Sequence, residues 1–166
     1  MSGWIANPKA APGDVAWNVD GLPSPPGWMS KGCSLNVNND QNLVCGPGQQ
    51  SYDFMVTSPE IDLTAAKSAH VRFWVWLNAF FTPSGLRGTV TLSSDGFKTS
   101  TEMPLGGGGL LLRSWSPVVA DLTAFAGKKV QIRFHLHGAP CAGYASSGAP
   151  IWQGWFVDDL TVWTDQ

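Results

Sequence analysis

The sequence predicts an all-β domain, a single jelly-roll β-sandwich of about eight to ten antiparallel strands joined by long Gly/Pro-rich loops. Three observations predict it. Short segments alternate apolar and polar residues with period two. Turn formers, 19 Gly and 12 Pro, gather between those segments. No long segment carries the apolar spacing of an amphipathic helix. The 166 residues suit one domain with a sizeable core, and neither a repeat nor a composition break divides residues 1–166.

Residues 1–32 are rich in proline and read as loop, except Trp17-Asn18-Val19-Asp20-Gly21, a short strand running into an Asp-Gly turn. Trp28 follows Pro25-Pro26-Gly27, a rigid loop that presents an aromatic ring. Residues 34–38 alternate as a strand. The amide-rich run Asn38-Asn39-Asp40-Gln41-Asn42 then turns the chain. Residues 51–58 are the next strand, and Pro59-Glu60-Ile61-Asp62-Leu63 begins another segment. Residues 64–69 read as one helical turn or a plain loop.

His70 to Phe81 is a strong strand with Val71, Phe73, Val75 and Leu77 on one face and Arg72, Trp74, Trp76 and Asn78 on the other. Both faces are largely apolar, which places it centrally, between layers or beneath a covering loop. Residues 88–94 form a strand, Ser94-Asp95-Gly96 a hairpin turn, and residues 97–103 the return. Gly106 to Gly109 form an excursion that cannot pack a core. Residues 111–119 follow, and 121–127 read as a helical turn closed by Gly127. Residues 129–137 alternate Val130, Ile132, Phe134 and Leu136 inward with Gln131, Arg133, His135 and His137 outward.

The last strand, residues 154–163, sets Trp155, Val157, Thr161 and Trp163 on one face and Phe156, Leu160 and Val162 on the other. Asp158 and Asp159 interrupt it. A buried lone carboxylate costs several kcal/mol, so each Asp requires a cation, backbone N–H groups or water.

Charge and composition exclude several classes. Net charge is −2, and the ten Lys and Arg are scattered singly, which argues against nucleic acid as a partner. No apolar run reaches the ~18 residues of a membrane span. The residues after Met1 carry no basic, apolar leader; an exported protein would then have lost its signal, or be a module cut from a longer chain. Cys33 and Cys45 flank a short polar loop; a bridge closing it contributes roughly 3 kcal/mol. Three reduced thiols, with Cys141, are the other reading. No zinc spacing, nucleophile elbow or HExxH motif is present, and the domain reads as non-catalytic. His135 and His137 lie on one strand face about 7 Å apart, which suits a transition metal with a third ligand nearby, such as His70; without one they read as polar surface residues.

The order of signals resembles the bacterial extracellular jelly-roll domains related to MAM domains, of the "choice-of-anchor J" type. The matching pieces are Trp17 with Val19-Asp20, Ser58-Pro59-Glu60-Ile61-Asp62-Leu63, Val71-Arg72-Phe73-Trp74, Val90-Thr91-Leu92-Ser93-Ser94-Asp95-Gly96, Trp115, Asp121-Leu122-Thr123 with Ala126-Gly127, Val130-Gln131-Ile132-Arg133-Phe134 and Gly154-Trp155-Phe156-Val157-Asp158-Asp159-Leu160. The resemblance implies a galactose-binding-domain-like sandwich serving as an accessory, adhesive or sugar-binding module. It also implies a structural Ca²⁺ between an N-terminal loop and the last strand. Asp158 and Asp159 are then the candidate ligands, with Asn36 and Asp20 adding loop oxygens. The usual acidic opening segment is not evident before Trp17.

Sugar rings stack on flat aromatics while amides and carboxylates read the hydroxyls. Trp28 and Trp152 lie in loops and are the candidate platforms, with Asn39, Asp40 and Tyr144 as polar neighbours. Trp74, Trp76 and Trp155 lie in strands and are expected to pack as core. The function expected is an extracellular or cell-surface binding module for a glycan or cell-surface protein. The alternative is a structural or adhesive protein that self-assembles into a homo-oligomer.

Overall fold

The computed structural model describes residues 3–7, 17–20, 29, 33–37, 52–78, 87–105, 112–138 and 154–165. Among them are eleven strands: β1 (Ile5–Asn7), β2 (Asn18–Asp20), β3 (Ser34–Asn36), β4 (Tyr52–Thr57), β5 (Ile61–Asp62), β6 (Ser68–Asn78), β7 (Arg87–Ser93), β8 (Thr101–Met103), β9 (Leu112–Asp121), β10 (Lys129–Gly138) and β11 (Gly154–Asp165). One sheet runs β1-β4-β10-β7-β8, with β5 also pairing β10, and the other runs β2-β3-β11-β6-β9. All pairs are antiparallel. The result is the predicted jelly-roll sandwich.

The alternation read from β6 and β10 places the core. Ala69, Val71, Phe73, Val75 and Leu77 from β6 face Val130, Ile132, Phe134 and Leu136 from β10, all buried. Phe134 is the hub of the aromatic packing. Its ring centroid lies 5.4 Å from Phe73, 5.7 Å from Trp155, 6.0 Å from Trp17 and 6.1 Å from Trp4. All four pairs meet edge-on or tilted, and none is a face-to-face sandwich, which their quadrupoles disfavour. Buried Trp17 also needs a partner for its indole N–H, and donates it to the Phe54 carbonyl at 2.9 Å.

The segment Ser58 to Leu63 is a splice between strands. Strand β10 leaves β4 at Arg133↔Thr57 and joins β5 at Val130↔Ile61. Pro59 has no N–H to give across that gap. The buried Ser58 fills it: its backbone N–H donates to the Ile132 carbonyl at 2.8 Å, and its hydroxyl accepts the Ile132 N–H at 2.9 Å. Beyond it, Leu63 exchanges bonds with Lys128 and Gly127, each at 2.9 Å. Gly127 sits at φ 80, where a left-handed turn ends the short 3₁₀ helix Thr123–Phe125.

Three elements differ from the sequence reading. Strand β1 lies in the stretch read as loop; at three residues its alternation is too brief to show. Only Thr101–Met103 returns along β7, because residues 94–99 form a bend held by Asp95. Asp95 accepts from the Thr99 N–H and hydroxyl, and Ser93 donates to it at 2.7 Å. Phe97, at φ 65, leaves the strand path and lies under the Arg133 guanidinium, 3.5 Å from its ring centroid.

The third difference is in β11. Asp158 pairs with Trp74 and Thr161 with Arg72, so two residues, Asp159 and Leu160, oppose Phe73 alone. This bulge reverses the parity of the strand. Trp155 and Val157 face the core before it, and Leu160 and Val162 pack against the core after it. Trp155 and Trp163 therefore lie on opposite faces, not on one face as strict alternation predicts.

Candidate functional site

The bulge answers how two carboxylates are housed in an apolar strand. Asp159 sits at φ 51, a conformation Asp tolerates better than most residues, and its side chain is exposed. Asp158 is half-buried. One carboxylate oxygen accepts the Asp159 N–H at 2.8 Å, and the other accepts the Met29 N–H at 2.8 Å. The carboxylate thus ties the N-terminal part of the chain to the last strand through backbone N–H groups, the second of the three partners expected.

The calcium expectation centres on this corner. Asp20 lies opposite Ser34, and Leu35 opposite Val157, so β2 and β3 deliver Asp20 and Ser34 to the level of Asp158. Asn36 lies one step away, opposite Phe156, and is buried. Calcium takes six to eight oxygens. Among the described residues no group of three or more His, Cys, Asp or Glu is arranged to hold a metal ion. The described donors therefore fit a calcium shell only in part, and the remaining oxygens would come from water or from elsewhere in the chain.

Trp28, Trp152, Asn39, Asp40, Tyr144 and Cys45 lie outside the described residues, and so does the side chain of Asp20. Cys33 is exposed and carries a free thiol.

Below the bulge, the outer face of the five-stranded sheet opens. Its upper row is closed: Trp76 and Phe156 are buried and meet edge-on at 5.4 Å. Across β11, β6 and β9, the next row is Asp158, Trp74 and Pro117, then Thr161, Arg72 and Val119, then Trp163, His70 and Asp121. Trp74 is half-buried, while Arg72, Thr161 and Pro117 are exposed. Trp163 is 42% exposed and Val119 62%, values that mark apolar surface with no strand over it among the described residues.

The lowest row is preorganised. The Trp163 ring stacks on His70 at 5.4 Å with 24° between planes. His70 Nδ1 lies 4.0 Å from an Asp121 carboxylate oxygen. Hydrogen bonds from the Thr123 hydroxyl and N–H hold the Asp121 carboxyl below the usual carboxylate range, with His70 adding a smaller effect. A flat indole, a guanidinium, an imidazole and a carboxylate thus share one open surface. Alternation did not single out Trp163, because it assigned that residue to the face of the buried Trp155. The Asp158-Asp159 pair is the signal that a bulge intervenes.

The comparisons fit the architecture. No family model matches the chain, and no curated protein does, so the MAM-like family itself is not shown. Among solved structures, the chain is similar to the K1 cleaved adhesin domain of Lys-gingipain from Porphyromonas gingivalis W83, with 17% identity and a TM-score of 0.57, covering 100% of this chain and 93% of that one. It is also similar to the K3 cleaved adhesin domain of the same protein, with 17% identity and a TM-score of 0.51, covering 99% and 93%. These likenesses define the class as a β-sandwich domain of that shape. A CBM22-2 xylan-binding domain from Paenibacillus barcinonensis Xyn10C reaches a TM-score of 0.44 and carries no weight at that distance.

Proposed function

We propose that this domain is a non-catalytic binding module of an extracellular or cell-surface protein, that its ligand is carbohydrate, and that the ligand lies on the outer face of the five-stranded sheet. The observation that carries the reading is the exposed row of Trp163 stacked on His70, next to Arg72 and Val119. A sugar presents an apolar C–H face and a rim of hydroxyls. The indole suits the first, and Arg72, His70 and Asp121 suit the second. An exposed strip along the strands suits a chain that lies along it. The names of the two gingipain neighbours, both adhesin domains, support a binding or adhesive role. The calcium at the Asp158 corner remains part of this proposal, as does a Cys33–Cys45 bridge that would form on oxidation of the exposed Cys33 thiol.

A second reading, self-association, draws on a different observation. Ile5, Val19 and Val119 are 64%, 38% and 62% exposed, and all three sit on edge strands, where sheets meet other chains.

The test is a glycan array with and without calcium, run beside light scattering. Saturable binding that weakens about tenfold in Trp163→Ala, the effect of losing ~1–1.5 kcal/mol of stacking, supports the face. Loss in Trp28→Ala or Trp152→Ala with Trp163→Ala unchanged moves the site to the loops. No glycan binding, with a mass of several chains, replaces the carbohydrate reading by self-assembly.

A further inference from the structure

The outer face of the six-stranded sheet carries a pair of imidazoles that the carbohydrate reading does not use. Alternation along β10 puts His135 and His137 on that face, and their ring centroids lie 4.5 Å apart with 32° between planes. His135 Nε2 lies 2.7 Å from a carboxylate oxygen of Asp53, on the neighbouring β4. A carboxylate only accepts, so Nε2 carries the hydrogen, and in the neutral ring Nδ1 is left with a bare lone pair. This is how a carboxylate fixes the tautomer and orientation of a metal-binding histidine. Both histidines are half-buried, so part of each side chain reaches solvent.

We propose that His135 and His137 form a bidentate site for a borderline divalent transition metal, of the Ni²⁺, Cu²⁺ or Zn²⁺ class, with Asp53 as the residue that positions His135. Imidazole nitrogens bind such ions at about 2.0–2.1 Å, so two ligating nitrogens stand about 3 Å apart, within reach of side-by-side rings on alternate residues. Two imidazoles do not complete a coordination shell, in keeping with the lack of any three-residue His/Cys/Asp/Glu group among the described residues; water fills the remaining positions. His70, the third ligand the sequence suggested, lies on the other sheet and takes no part. The groups facing the pair are Asp53 from β4, Met55 and Thr89 opposite His135, Arg87 opposite His137, and the Glu102 carboxylate on β8. Arg87 opposes a bound cation, while Asp53 and Glu102 favour it. Calcium, which requires oxygens, is not held here.

The experiment titrates the intact chain with NiCl₂, followed by calorimetry and by NMR of the histidine side chains. The expected result is one saturable site. Paramagnetic broadening centres on His135 and His137 and spares His70, and excess calcium leaves it unchanged. His137→Gln and His135→Gln each weaken binding at least about tenfold, and Asp53→Asn weakens it by about 10–100-fold while leaving two ligands in place. His70→Gln leaves it intact. Broadening centred elsewhere, no saturable uptake, or uptake unchanged in the double His135→Gln, His137→Gln variant overturns the proposal. The wild-type broadening pattern decides the matter even if a variant fails to fold.

Discussion

Replacing Asp158 with Ala removes the acceptor for two backbone N–H groups, those of Asp159 and Met29. A hydrogen bond to a charged group contributes about 1.5–3 kcal/mol when well shielded. Asp158 is half-buried, so solvent competes for both bonds, and a total of about 2–3 kcal/mol is the reasonable expectation. The loss falls in two places. At Asp159 it removes the brace on a residue held at φ 51, loosening the bulge that turns Trp163 outward and Leu160 inward. At Met29 it frees the link between the N-terminal part and the last strand. Urea unfolding measures the total, and amide hydrogen exchange resolved by residue measures the two sites separately. Exchange at Met29 and Asp159 rises well before exchange at Phe134, in the middle of β10. Asp158→Asn keeps one acceptor oxygen and falls between wild type and Asp158→Ala. A stability change under about 0.5 kcal/mol in Asp158→Ala, with unchanged exchange at Met29, refutes the claim that this carboxylate is satisfied by backbone and couples the two ends.

Three further outcomes follow from the packing and the charges. Phe134→Ala empties the hub of four aromatic contacts and costs about 3–5 kcal/mol by urea unfolding, whereas the exposed Val119→Ala changes stability by under about 0.5 kcal/mol. The Thr99 hydroxyl, then its N–H and the Ser93 hydroxyl, hold the Asp95 carboxyl down from 3.8 to about 2. Its folded value lies below its unfolded one, so its contribution is present above 3.8 and lost as pH falls toward about 2, and Asp95→Asn flattens that part of the acid denaturation profile. Burial, then the charges of His135 and Arg87, push the His137 imidazolium below its usual 6.5. The unfolded chain then takes up that proton first, so stability falls as pH drops below about 6.5, and His137→Gln makes the fall in unfolding midpoint shallower.

The sandwich was legible because two of its long strands obey a single rule. Strands β6 and β10 alternate without interruption, and their inward residues are the core. The turn signals at Asp95-Gly96 and Gly127 were legible for a similar reason, since each marks a left-handed backbone position. The open face was not legible, because its position depends on one extra residue. Period-two reading carries parity through Asp158-Asp159, while the bulge resets it, so Trp163 was grouped with buried Trp155. The two carboxylates were noticed as a conflict, but only the paired register with Trp74 and Arg72 shows that the conflict is resolved by a bulge. Likewise Phe97 read as strand, although its left-handed backbone and its stacking under Arg133 depend on a neighbouring strand. Contacts made across the sheets are absent from local patterning.

The central claim is the location of the binding surface. The most direct measurement is NMR mapping of the backbone and the tryptophan side chains while a glycan identified on the array is titrated in. The expected result is saturable shifts at Trp163, His70, Arg72 and Val119 on the outer face of β11, β6 and β9, with the six-stranded sheet silent. Shifts confined to loop residues such as Trp28 and Trp152, with Trp163 unmoved, contradict it.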